Sequence, residues 1–395
     1  MNNNQDKTFL NNQTICTGLS GNEIYCLNLY GYQPGNLLIG NSVFALGLIG
    51  GMTSSIRTTV GGEIKQLTKM IAEGRRLSLG RFEEELNKSD GVGATGLSSQ
   101  IIFHAGNVEF LSIGSTVHRQ DNNSNQVFTT ASDGQELFCQ LDMGYAPIKF
   151  VFGNVAYSIG FMKSFFGGLK QITKGEVKQY SDIFDTTRRL ALTRMMDEAK
   201  SLQANSVIGI KTTILPLGPQ GIQEMVMVGT ASYNQQLESL SEQYETVLTS
   251  NLNAEEMWNL AQIGYAPVGL LLSTSVYSLG LIGSIKASLK NLIKGEISDL
   301  TDMIYGARQK AIEKLQNQAN DLDANLVVGI KTYIYDLGSG LVEFLAIGTA
   351  VKKVETLKTN SNQLPVQAVI KEKTTFINSY DALYDYNLQN QNPKV

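Results

Sequence analysis

The sequence predicts an α+β protein of three tandem β-α-β-β units, each an antiparallel sheet with one long helix and a short capped helix in front. Three observations predict it: a stretch written three times, a helical apolar stripe at one place in each copy, and a closing pair of β-rich runs. The stretch reads GYQPGNLLIGNSVFALGLIGGM from residue 31, GYAPIKFVFGNVAYSIGFMKSF from 144 and GYAPVGLLLSTSVYSLGLIGSI from 264, offset by 113 and then 120 residues. The offsets hold through Gly62-Glu63, Gly175-Glu176 and Gly295-Glu296, then through Arg75, Arg188 and Arg308, and through Gly96, Gly209 and Gly329. Each copy closes on EFLSIGST, EMVMVGTA or EFLAIGTA. Self-similarity at a fixed period marks a repeated supersecondary unit. The units are expected over 15–119, 131–233 and 253–353, followed by a polar tail over 354–395.

Each unit opens with a short helix. Ser20-Gly-Asn-Glu23 fits a capping box, in which the N-cap hydroxyl and the third carboxylate satisfy each other's backbone donors; Asp133–Glu136 and Asn253–Glu256 stand in the same place. Gly-Tyr-x-Pro is expected to end this helix, because proline and the residue before it disfavour helical backbone. The first strand follows, from Ile148 to Tyr157 in the second copy.

A glycine-rich turn leads to the long helix. Its stripe is Ile297, Leu300, Ile304, Ala307, Ala311, Leu315, Ala319 and Leu322 in the third copy. In the second it is Val177, Tyr180, Phe184, Thr187, Ala191, Met195, Ala199 and Leu202. Spacings of three and four bury one face. Small residues in mid-stripe, Gly74 and Ser78 in the first copy, let the helix lie close on a sheet. A hairpin completes the unit: SVIGIKTTIL, a turn at Gly218-Pro219-Gln220-Gly221, then EMVMVGTAS, with GSG as the turn in the third copy. One helix covers one sheet face, so the other face and the edges stay open, a liability that proteins bury or pair. Association of units, within and between chains, is the expected remedy.

Between units, 120–130 and 234–252 read as polar linkers, the second with helical character. The tail is rich in Asn and Gln and carries Phe376, Tyr380, Leu383 and Tyr384 at helical spacing, either docked on a neighbour or loose.

Val268 to Ile285 holds eighteen residues without a charge, close to the length of a membrane-spanning helix. The equivalent stretch of the second copy contains Lys149 and Lys163, and a charge near the bilayer centre is expensive. Ser273-Thr274-Ser275, Gly280 and Gly283 also break the run. It reads as a strand, a glycine turn and the start of a helix, and no transmembrane segment is expected.

Composition narrows the function. Charged residues make up 17% of the chain, below the roughly 25% of an ordinary soluble domain, so much surface is expected in internal or shared interfaces. The net charge is −4 and no basic block occurs, which argues against a nucleic-acid partner. Cys16, Cys26 and Cys139 form no CxxC pair and imply no disulfide framework. The N-terminal residues carry no secretory pattern, so a reduced, cytoplasmic protein is expected.

No residue set points to catalysis, a cofactor or a metal. The only histidines are His104 and His118, both in the first copy, and Cys26 and Cys139 are matched by Asn259 in the third. A repeated Cys/His site is therefore not expected. Glu63, Glu176 and Glu296 recur, as do Glu109, Glu224 and Glu343. Both sets are expected to be structural, the first set suiting a helix dipole. Arg75, Arg188 and Arg308 recur in mid-helix beside acidic neighbours, as solvated or interfacial salt bridges. Lys211 and Lys331 are matched by Ser98, which excludes a shared lysine chemistry. GVGATG at 91–96 precedes a strand rather than a helix and is a helix-to-strand junction, not a phosphate loop.

ARQKAIEKLQNQANDLDANLVVGIKTYIYDLGSGLVEFLAIGTAVKK in the third copy resembles the YbjQ-like family, often labelled a heavy-metal-binding domain. The match runs through Ala324-Asn325, Val327-Val328-Gly329-Ile330 and Gly348-Thr349-Ala350-Val351. In the second copy it runs through Ala204-Asn205, Val207-Ile208-Gly209-Ile210 and Gly229-Thr230-Ala231. The first copy diverges, with Gly91-Val92 and Gly114-Ser115-Thr116 at those places. The resemblance implies a dodecin-like β-α-β-β fold and ring formation, typically as pentamers.

The function expected is a non-enzymatic, self-assembling structural protein forming rings or a larger hollow homo-oligomer. Strand edges and the glycine-rich loops (Gly47–Met52, Gly160–Gly168 with Phe165, Gly280–Gly283) are the expected interfaces. The alternative is a small-ligand or metal-ion binding module with sites between units, lined by recurrent Glu or by Tyr157 and Tyr277. Peripheral membrane contact through Phe161–Phe166 is a third, weaker option.

Overall fold

The computed structural model describes residues 14–45, 62–104, 106–119, 127–158, 175–217, 222–278, 298–338, 341–366, 368 and 376–378. The three glycine-rich loops fall outside these, with Lys163, Phe165 and the Phe161–Phe166 segment. So do Gly295-Glu296, Ile297, the Gly218–Gly221 turn, and Tyr380, Leu383 and Tyr384.

One arrangement occurs three times. The first unit runs α1 (Gly21–Leu29), β1 (Tyr32–Ala45), α2 (Lys65–Lys88), β2 (Gly93–His104) and β3 (Asn107–Arg119). After β4 (Phe128–Thr129), the second runs α3 (Gly134–Asp142), β5 (Ala146–Ser158), β6 (Gly175–Glu176), α4 (Lys178–Ser201), β7 (Ser206–Pro216) and β8 (Ile222–Tyr233). After α5 (Glu238–Tyr244) and β9 (Leu248–Thr249), the third runs α6 (Ala254–Gln262), β10 (Tyr265–Ser278), α7 (Ser298–Asp321), β11 (Leu326–Gly338) and β12 (Leu341–Lys353), with β13 (Phe376–Asn378) beyond.

All three capping boxes form, on Ser20, Asp133 and Asn253. The short helices end before their prolines. Gly31, Gly144 and Gly264 follow the C-cap with φ of 74°, 82° and 75°, the left-handed conformation that glycine adopts without a Cβ clash. Pro34, Pro147 and Pro267 already lie in the strands, at the point where pairing with the third strand shifts register.

In each sheet the third strand is central, paired antiparallel with the first and second. The linkers are not purely polar connectors. Phe128–Thr129 adds parallel to β2, and Leu248–Thr249 adds parallel to β7, where their backbones cover an otherwise open edge. Phe376 stands in a strand parallel to β11 rather than in the helix its spacing suggested, because an open sheet edge outcompetes local periodicity. No helix among the described residues is long and apolar enough to cross a membrane, and the uncharged run is strand β10 as far as Ser278.

The sheet face left bare in a lone unit is covered by its predecessor. Along β5, Val151, Val155 and Tyr157 pack with Phe184, Ala191 and Met195 of α4, the unit's own helix. The alternate residues Phe150 and Phe152 pack with Ala72, Leu79 and Phe82 of α2, from the preceding unit. Likewise Leu270, Leu272 and Val276 of β10 share a core with α4, while Leu271 packs with Ala311 and Leu315 of α7. The layers therefore run sheet, helix, sheet, helix, sheet, helix.

Helix and strand backbones nearly touch within a unit. A Cβ at Gly153 would strike the Ala191 carbonyl, and one at Gly40 the Ser78 carbonyl. The third unit has Ser273 there, whose hydroxyl donates to the Ala311 carbonyl at 2.7 Å. Gly153→Val is expected to destabilise the protein by at least about 1–3 kcal/mol through overpacking. Urea unfolding checks this, and an unchanged midpoint would contradict the close approach.

Candidate functional site: the joint between units

Two recurrent sets of charges meet where a helix packs on the next sheet. Arg75 extends from α2, and its guanidinium donates to Glu224 of β8 at 2.8 Å and to the Ser99 carbonyl and hydroxyl at 3.1 Å each. Asn154 donates to the other Glu224 oxygen at 3.0 Å. Arg188 of α4 repeats the pattern one unit on. It meets both oxygens of Glu343 on β12, one at 2.7 Å, and donates to the Tyr157 hydroxyl at 3.2 Å. Its guanidinium lies 5.3 Å from the Phe184 ring centroid and 5.4 Å from that of Tyr335. All four ionic side chains are wholly buried.

The salt bridges expected of Arg75 and Arg188 are thus interfacial and not solvated. Their partners are the second recurrent glutamates, not acidic neighbours along the helix. Burial pushes the Glu343 carboxyl up to about 7, with Arg188 opposing. Burial pulls the Arg188 guanidinium down, and Glu343 together with Tyr157 and Tyr335 more than reverses that. A buried pair adds little net stability over apolar packing, but removing one member leaves an uncompensated charge.

The first recurrent glutamates also cross the joint, rather than serving only a helix dipole. Glu63 accepts from Arg194 of the second unit at 2.7 Å, and Glu176 accepts from Lys310 and Lys314 of the third at 3.1 Å each. Burial draws Glu176 up, but the two lysines prevail and hold it below the usual range. Backbone pairing fixes both segments: Glu63 lies opposite Tyr157, and Glu176 opposite Tyr277 on the edge of β10. The Ile64 amide donates to the Ala156 carbonyl at 2.7 Å, and the Val177 amide to the Val276 carbonyl at 2.8 Å. In return the Ala156 amide donates to Thr68 Oγ1 at 2.9 Å, and the Val276 amide to Ser181 Oγ at 2.8 Å. Lys149 adds an ion pair to Glu83 of the preceding helix at 2.9 Å.

Among the described residues, two of the recurrent side chains are not paired this way. Arg308 is exposed on α7, its guanidinium 5.6 Å from the Phe344 ring. Glu109 is partly exposed and accepts from Asn41 at 3.1 Å, with His104 at 2.8 Å on its other oxygen. The hydrogen bonds of His104 and then Asn41 hold its carboxyl below the usual range.

The short helices stack beside the joints. Cys26 and Cys139 lie buried between them as free thiols. Burial pushes Cys26 up to about 11 and Cys139 further, so both stay protonated and are poor metal ligands. His118 is buried, which lowers its pKa against the pull of Asp90. Among the described residues no group of three or more His, Cys, Asp or Glu side chains could hold an ion. The donor set does not fit a soft-metal centre.

Sequence reasoning noted both recurrent sets and missed that each pairs with the other across units. The available signal was a charge repeated inside an apolar strand opposite a charge repeated within an apolar stripe. Arg188→Met or Glu343→Gln alone should lower stability by about 3–5 kcal/mol, whereas Arg188→Met with Glu343→Leu should come within about 1 kcal/mol of the parent. Chemical denaturation of the three variants checks this, and equal losses in single and double variants would contradict it.

The helix stack gathers acids as well. Burial raises Asp133 and Glu136, and burial followed by the charges of Glu136 and Asp133 raises Glu255 to about 7. A raised folded-state pKa favours the folded state at low pH, and this contribution is lost as pH rises from about 4.5 through 7. Glu255→Gln should therefore stabilise the protein at pH 8, by of order 1–3 kcal/mol, and have little effect at pH 4.5. Melting curves across that window test the sign.

Comparison with known proteins follows these elements. The YbjQ family model, described as putative heavy-metal-binding, matches residues 145–235 and 262–354. A UPF0145 protein of Thermoplasma acidophilum is 39% identical over 83 residues, covering 21% of this chain and 70% of the relative. One from Clostridium novyi is 39% identical over 84 residues, covering 21% and 81%. An encapsulin nanocompartment protein of Mycobacterium tuberculosis is 28% identical over 214 residues, covering 53% of this chain and 80% of the relative.

Proposed function

The chain belongs to the YbjQ family, and on that premise we propose that it is a non-enzymatic structural protein that assembles with copies of itself into rings or a larger hollow particle. The observation that carries this reading is the joint. A unit of this fold is finished only when another unit's helix covers its sheet, and the chain solves this twice within itself by one repeated contact. A contact between unlike surfaces propagates until it closes. The mycobacterial relative is named as a nanocompartment protein, which supports a hollow assembly here. The unit limits 15–119, 131–233 and 253–353 and a cytoplasmic location belong to the same proposal.

A second reading, a small ligand held between units, has one observation behind it. An open cleft of about 600 Å³ at the first joint is lined by Lys69, Arg76, Asn154, Arg194, Asp197 and Glu198 among others.

Light scattering of detergent-free protein, with negative-stain images of the same sample, separates the two. Assembly predicts a discrete multiple of 43.2 kDa, about 216 kDa for five chains, and closed particles in the images. A mass near 43.2 kDa would overturn the structural reading and leave ligand binding standing.

A further inference from the structure

The two joints inside the chain leave one half of the same contact unused at each end. The first unit keeps an uncovered sheet face. On β1, Leu37, Ile39 and Val43 are 40%, 54% and 58% exposed, whereas the equivalent Phe150, Phe152 and Ala156 of β5 are 1%, 2% and 0% exposed. In β10 the equivalents Leu270, Leu272 and Val276 are 5%, 0% and 0% exposed. Among the described residues, the helix of a preceding unit lies over β5 and β10, and no helix of another unit lies over β1.

The third unit keeps an uncovered helix. Arg308 and Tyr305 of α7 are exposed, whereas Arg75 and Arg188 at the first of these positions are fully buried. Thr301 is exposed, although Thr68 and Ser181, its equivalents, are buried and accept the amide of the next unit's first strand. At the start of β11, Leu326 is 46% exposed, where Ser206 of β7 is fully covered beside β9.

The charges at these two ends are complementary. Asn41 holds Glu109 at 3.1 Å as Asn154 holds Glu224 at 3.0 Å, so the carboxylate is already oriented. Its other oxygen, the one that takes the arginine in Glu224, is occupied by the half-exposed His104.

We propose that α7 of one chain docks on the β1 face of a second copy through the same joint, with Arg308 paired to Glu109 of the second copy. His104 is displaced from that oxygen, and Leu37, Ile39 and Val43 are covered. This rests on the self-assembly reading and names its contact. Chains then join head to tail, a heterologous contact that makes a ring if the rotation closes and a filament if it does not.

The test uses full-length protein and native mass by light scattering, with melting curves to confirm folding. Arg308→Glu and Glu109→Arg should each reduce the assembly to the single-chain mass of 43.2 kDa while keeping the circular dichroism of the parent. An equimolar mixture of the two should recover multi-chain assemblies, at the parental mass where the ring holds an even number of chains, because its joints alternate between swapped and native pairs. Ile39→Arg, on the bare face but outside the ion pair, should also yield single chains. If parent, Arg308→Glu, Glu109→Arg and Ile39→Arg all share one multi-chain mass, this joint is wrong although self-assembly stands. If the parent itself is a single chain, both the joint and the assembly reading fall.

Discussion

The pairing of an arginine on one unit's helix with a glutamate on the next unit's sheet sets the form of this chain. Arg75–Glu224 and Arg188–Glu343 are wholly buried, and neither half is tolerable alone in that environment. Each helix must therefore meet the next sheet in the register that brings its arginine to that carboxylate. The apolar contacts around the pair supply most of the stabilisation, since burial of apolar surface is not directional. The ion pair adds direction, because a joint slipped along the strand strands a charge in an apolar layer.

The rest of the joint follows from the same geometry. Once α2 lies on β5, the backbone entering the helix runs along the edge of that strand, and Ile64 pairs with Ala156. The glutamate just before it then reaches the second unit's helix at Arg194. Strand edge, helix face and two ion pairs are thus one contact, repeated by Val177, Val276, Glu176 and Lys314 in the next joint. An edge strand and a bare sheet face are both hazards in solution, and one neighbour removes both. The family label of heavy-metal binding finds no matching donor set in the described residues, where Cys26 and Cys139 are held as buried thiols.

Much of the fold was legible in the sequence, because each element has a local cause. The capping boxes at Ser20, Asp133 and Asn253, the stripe from Tyr180 to Ala199 and the hairpin strands all form where spacing placed them. What failed locally failed for tertiary reasons. Phe128–Thr129 and Phe376–Asn378 become strands because an open edge is available to pair with, whereas the short helices do end at Gly-Tyr-x-Pro, on a left-handed glycine. The joint was legible only in part. The recurrence of Arg188 and Glu343 was visible, but nothing in a linear pattern shows that a helix residue of one unit faces a strand residue 155 positions later.

The most direct measurement is hydrogen exchange by mass spectrometry on the protein at its native mass, comparing the peptide spanning 37–44 with the one spanning 150–157. Matching protection is expected, because a second copy covers β1 as α2 covers β5. Fast exchange confined to 37–44, in protein that holds a multi-chain mass, would contradict it.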